Sequence, residues 1–131
     1  MSRILIAVLN WGMGHASRSL PLIEGAIDLG WEVDIASTGD AMVWLKSRLK
    51  GNPKVKFFEK PGAVITYSRY FTMLTIAAQT PKLIKSIFDE RKWTQEHVEK
   101  RSISKIFSDN CYGVHHPDIP SVLMTHLLRF P

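Results

Sequence analysis

Residues 4–9, Ile-Leu-Ile-Ala-Val-Leu, form an unbroken apolar run that ends at Asn10 and a glycine-bearing turn reaching Gly14. A strand with no polar alternation must be covered on both faces, as a central strand of a parallel sheet is. Helical spacing follows: Leu20, Ile23 and Ile27 fall at i, i+3 and i+7 within 15–29, and Gly30 supplies the stop. Pro21, inside that span, removes one backbone bond and predicts a bend or a loosened first turn. The alternation then repeats. Residues 31–36 read as a second strand, and Thr38-Gly39-Asp40 opens a helix that Gly51 and Pro53 close. Residues 54–58 read as a third strand and 59–69 as irregular. Helices are expected over 70–79 and 82–101, broken at Thr80-Pro81, the second with Leu83, Ile84, Ile87, Phe88 and Trp93 on its apolar side. Residues 103–107 and 121–125 read as strands four and five. Strands alternating with helices specify the α/β class, a doubly wound parallel sheet in three α/β/α layers.

A chain of 131 residues suits one domain. With 45% hydrophobic and 22% charged residues, its composition excludes a disordered, collagenous or disulfide-built chain. Cys111 is the single cysteine, so no intrachain disulfide can form, and a reducing, cytoplasmic setting is expected. The apolar runs fall short of the ~20 residues of a membrane span, and the first is too short for a signal peptide. The net charge of +5 is unevenly spread, because residues 42–105 hold 14 Lys and Arg against 5 Asp and Glu. Such a middle suits an anionic partner, or is simply a solvated face. Tyr67, Tyr70, Phe71, Met73, Leu74 and Ile76 precede Lys82, Lys85, Arg91 and Lys92. That mixture fits peripheral contact with an anionic membrane, and equally a core-facing helix with a solvated back. No nucleic-acid-binding module is recognisable, so nucleic acid is not an expected partner.

Chemistry concentrates where strands give way to loops. Asn10-Trp11-Gly12-Met13-Gly14-His15 joins strand one to helix one. Ligands of open parallel sheets bind at the carboxyl ends of the strands, and helix N-termini suit phosphates and developing oxyanions. Gly12 and Gly14 would let the backbone turn and approach a ligand, and His15 on the first helical turn could act as general base. The plain alternative is a tight turn with an incidental histidine. Gly12 and Gly14 with Ser17 supply only two glycines of a dinucleotide fingerprint. Asp34 comes too early and Asp40 too late to close strand two with the acid a ribose requires. The second cluster is Ser108-Asp109-Asn110-Cys111-Tyr112-Gly113, after strand four. In a 3-2-1-4-5 order, strands one and four are neighbours at the switch point, so Asp109 and His15 would share one crevice. A carboxylate on one imidazole nitrogen fixes the tautomer and stabilises the imidazolium. Alternatively, Asp109 caps a turn. His126, after strand five, would end at the same rim, while His115 and His116 complete no compact metal-ligand spacing.

Three pieces carry a resemblance: Trp11-Gly-Met-Gly-His-Ala-Ser-Arg18, Ser108-Asp-Asn-Cys-Tyr-Gly113 and Pro120-Ser-Val-Leu-Met-Thr-His126. In these residues, and in their order, the chain resembles the N-terminal half of two-domain GT-B glycosyltransferases. It is similar to the group containing the N-acetylglucosaminyltransferase of peptidoglycan lipid-intermediate synthesis. The resemblance implies a single Rossmann-like acceptor-binding domain over 1–131, one half of a GT-B architecture, incomplete at its C-terminus. It implies a sugar transfer from a nucleotide-sugar donor to a hydroxyl on a lipid or small-molecule acceptor. His15 matches the proposed base, and Asp109 falls where related plant-type enzymes place its partner. Gly12, Gly14, Arg18, Asn110, Tyr112 and His126 are the expected substrate-binding residues. No metal or bound cofactor is expected, the nucleotide-sugar being a co-substrate held mainly by a separate C-terminal donor-binding domain or subunit. Location would be cytoplasmic, with peripheral attachment at the inner membrane face. Two further readings stand beside this one: a non-catalytic subunit of a split transferase, and a nucleotide-binding Rossmann protein of another class.

Overall fold

The structure, a computed structural model, describes residues 2–10, 13–61, 72–109, 111 and 113–124. Five strands, β1 (Arg3–Val8), β2 (Glu32–Ser37), β3 (Val55–Glu59), β4 (Lys105–Asp109) and β5 (Ser121–Met124), form one sheet in the order β3-β2-β1-β4-β5. All of its neighbouring pairs are parallel. Among the described residues, three helices, α1 (Met13–Asp28), α2 (Gly39–Arg48) and α3 (Thr72–Arg101), connect and cover it. The result is the doubly wound α/β arrangement that the alternating pattern specifies.

The register explains which side chains meet. Ile4, Ile6 and Val8 point to one face, where Val33, Ile35, Val55 and Phe57 join them beneath Ala16, Leu20 and Ile23 of α1 and Ala41 and Leu45 of α2. Leu5 and Ala7 point to the other, with Ala36 and Ile106, under Trp93 and Val98 of α3. Residues Leu5 through Val8 have no solvent exposure, as their uninterrupted apolar character requires. Burying each of the Leu5, Ile6 and Val8 side chains contributes about 1.5–3 kcal/mol.

Three details differ from the sequence expectations. Helix α3 runs unbroken through Pro81, where two helices separated at Thr80-Pro81 were expected. A proline inside a helix forfeits one N–H bond, and so long a helix tolerates that loss. Ile84, Ile87 and Phe88 are exposed rather than core-facing; Trp93, one turn further on, does reach the sheet. Strand β4 starts two residues later than expected, so Asp109 ends the strand instead of following it. Gly39 opens α2 with φ +58, and its Cα hydrogen faces the Asn10 side chain so closely that a Cβ would collide with Nδ2. Asn10 Oδ1 accepts from the backbone N–H of Ala41 at 3.1 Å, doing the capping that Thr38 does not.

Candidate active site

The order of the sheet reverses between β1 and β4, and in this register Val8 lies beside Asp109. That is the switch point at which doubly wound sheets hold ligands. Asp109 projects onto the α1 face because its register partner Val8 does. The first turns of α1 lie above it. His15 Nδ1 is 3.2 Å from Asp109 Oδ1, and Ser19, one turn on, donates its hydroxyl to Asp109 Oδ2 at 3.1 Å. Asp109 is completely buried and His15 is 5% exposed. A carboxylate so placed holds an imidazole in a chosen tautomer and offsets the charge the ring gains on protonation.

Arg18 adds a third group. Its Nη2 lies 2.9 Å from His15 Nδ1 and 3.9 Å from Asp109 Oδ1, on a side chain that is 50% exposed. Spacing explains the assembly, since residues three and four apart share one helix face. Ser19 was absent from the sequence expectations, although its i+4 relation to His15 was the available signal.

Gly14 occupies the first turn of α1 without a left-handed φ, and nothing lies within 4 Å of where its Cβ would stand. The turn therefore places no steric demand on it among the described residues. Gly12, Asn110, Tyr112 and His126 lie outside the described residues. The end of β4 is fixed by Ser108, whose Oγ accepts from the Cys111 N–H at 3.1 Å and donates to the Cys111 carbonyl at 2.6 Å. Cys111 itself is buried, and that burial pushes its thiol up to about 12. It is no nucleophile near neutral pH. Among the described residues no three His, Cys, Asp or Glu side chains are arranged to hold a metal ion. His116 Nδ1 accepts the Asp118 N–H within its own turn.

Two buried ionic clusters lie on the α3 face, and neither was anticipated. Asp34 accepts from His97 Nε2 at 2.9 Å and from Arg101 Nε at 3.0 Å, while His97 stacks on Trp93 and meets Phe58 edge-on. Burial pushes the Asp34 carboxyl up, but the His97 and Arg101 hydrogen bonds and the Arg101 charge outweigh it and hold the group below its ordinary range. Lys60, beyond β3, pairs with Glu90 of α3 at 3.3 Å. Here burial dominates and raises the Glu90 carboxyl, with Lys60 offsetting it in part. Both clusters bind α3 to the sheet.

Solved structures share this fold. UGT2 of Phytolacca americana in its apo form aligns with a TM-score of 0.60 at 15% identity, over 94% of this chain and 29% of that one. A ugt transferase from Siraitia grosvenorii in complex with UDP aligns at 0.57 and 11%, over 95% of this chain and 28% of that one. The Phytolacca protein complexed with UDP-2fluoro-glucose and pterostilbene aligns at 0.57 and 19%, over 94% and 30%. The fold matches one portion of those proteins. This chain spans less than a third of the length of those proteins. No protein-family model matches it, and no curated protein does. Among the described residues no helix is long and apolar enough to cross a membrane.

Proposed function

We propose that this chain is the acceptor-binding half of a glycosyltransferase that moves a sugar from a nucleotide-sugar to a hydroxyl group. The observation that carries the reading is the contact of His15 with buried Asp109 at the switch point of a glycosyltransferase fold. His15, with its lone pair on Nε2, takes the acceptor's proton as the acceptor oxygen forms its bond to the anomeric carbon. The bond from that carbon to the nucleotide diphosphate breaks, and the diphosphate leaves with the electron pair. Asp109 orients the ring through Nδ1–H and stabilises the imidazolium, a contribution to the rate of about 10²–10⁴-fold for the base. In this reading Gly12 and Gly14 approach the donor phosphates across the cleft, and Arg18, Asn110, Tyr112 and His126 contribute to substrate binding. The donor is assigned to polypeptide beyond these 131 residues, as a joined domain or a separate subunit, in keeping with the 29% share of UGT2 that the chain spans.

Within the glycosyltransferases, the glycine-histidine and Ser-Asp-Asn pieces favour the peptidoglycan lipid-intermediate group, and with it a lipid-linked acceptor. The exposed Ile84, Ile87 and Phe88 of α3, beside exposed Lys85, Arg91 and Lys92, support peripheral contact with an anionic bilayer. The division of labour is tested by titrating UDP into the 131-residue chain in a calorimeter. The expected dissociation constant is weaker than about 1 mM. Micromolar binding would overturn the acceptor-side assignment in favour of a nucleotide-binding Rossmann protein of another class.

A further inference from the structure

Two contacts at His15 Nδ1 demand opposite tautomers. A neutral imidazole nitrogen carries either a proton or a lone pair, whereas a guanidinium nitrogen only donates. With Arg18 Nη2 at 2.9 Å, Nδ1 must accept, which leaves the ring proton on Nε2. With Asp109 Oδ1 at 3.2 Å as the partner, Nδ1 must donate, and the lone pair moves to Nε2. Only the second form can take a proton at Nε2. The two rivals differ in freedom. Asp109 is fully buried and held by Ser19, while the Arg18 side chain is 50% exposed. Arg18 is therefore the group that can leave.

We propose that Arg18 is an oxyanion-recognising latch on His15. With no ligand it holds the ring in the Nε2–H tautomer. A phosphate or carboxylate on the incoming substrate draws the guanidinium into a bidentate pair, and Nδ1–H then turns to Asp109. Solvent carries the proton, one leaving Nε2 as another arrives at Nδ1, so charge is conserved. The base is thus made competent by the ligand, and substrates lacking an oxyanion near the reacting hydroxyl meet an unprimed histidine. This inference rests on the reading of His15 as base.

The test reads the tautomer directly, through long-range proton–nitrogen correlation spectra of the ¹⁵N-histidine-labelled chain. It is run at about pH 8, where an ordinary imidazole is neutral. In sodium chloride the expected His15 signal is Nε2–H. Inorganic phosphate at matched ionic strength should convert it to Nδ1–H, and Arg18→Ala should show Nδ1–H with no phosphate present. A parallel acetate titration separates the sources: conversion by acetate alone assigns a carboxylate ligand, and conversion by phosphate alone a phosphate. An Nδ1–H signal for the unsubstituted chain in chloride would overturn the latch. So would a signal unmoved by both anions, whatever Arg18→Ala does. Neither result touches the base assignment, which falls only if turnover is indifferent to His15.

Discussion

Asp34 and Gly39 are the residues whose replacement most sharply tests the local physics. Asp34→Ala removes the acceptor shared by His97 and Arg101 and leaves their donors stranded under α3. The expected cost is about 3 kcal/mol, read from urea unfolding. Its pH dependence has a definite sign. The folded carboxyl is held below 3.8, so its stabilisation is complete above that value and is lost as pH falls through the folded value. Unfolding curves in that acid window should steepen for the unsubstituted chain relative to Asp34→Asn. Glu90 works in the opposite sense, being raised above 4.5, so its contribution declines as pH rises from 4.5 through its folded value. Gly39→Ala meets both a left-handed φ and the Asn10 amide, and a loss of about 1–3 kcal/mol is expected in the same assay. At this scale the sequence was only partly legible. His15 and Asp109 could be brought together because strand ends in a parallel sheet have fixed neighbours. The approach of Arg18 to Nδ1 depends on a rotamer, and the capping of α2 by Asn10 on a contact across 31 residues, which spacing does not encode.

Among the elements, α3 departs most from its sequence pattern. Its apolar positions divide between two jobs, Trp93 and Val98 packing on the sheet while Ile84, Ile87 and Phe88 face outward. Hydrophobic periodicity reports that a stripe exists, but not what covers it. If the outward stripe meets a bilayer, the double change Ile84→Asp and Phe88→Asp should lower binding to phosphatidylglycerol vesicles at least about tenfold, with the circular dichroism spectrum unchanged. Undiminished sedimentation of the variant with vesicles would show that this stripe is not the membrane contact. The loop after β4 is pressed onto the same helix, since a Cβ on Gly113 would overlap the Ile87 carbonyl and lie 2.6 Å from Glu90 Cβ. Gly113→Ala should therefore cost about 1–3 kcal/mol, seen as a lower Tm, and a neutral result would mean that loop and helix yield readily.

Over the whole molecule, the class and strand order were the most readable features. An apolar first strand, a glycine turn and repeated strand–helix units leave few parallel arrangements open. The buried ionic clusters were not readable, because Lys60 and Glu90, or Asp34 and Arg101, come together only after α3 docks. An apolar cleft of about 400 Å³, lined by Ile4, Leu22, Leu29, Trp31 and Phe107 among others, opens near the strand starts, at the end opposite His15. The proposed chemistry is assigned to the crevice at the strand ends, where His15 meets Asp109. The assignment is tested by the rate of UDP release from a UDP-sugar in the presence of a hydroxyl acceptor, measured for the proposed assembly of this chain with a donor-binding partner, with His15 or Ala at that position. His15→Ala should lower kcat by about 100-fold or more with little change in donor KM. A kcat left within about threefold, with His15 gone, would contradict it.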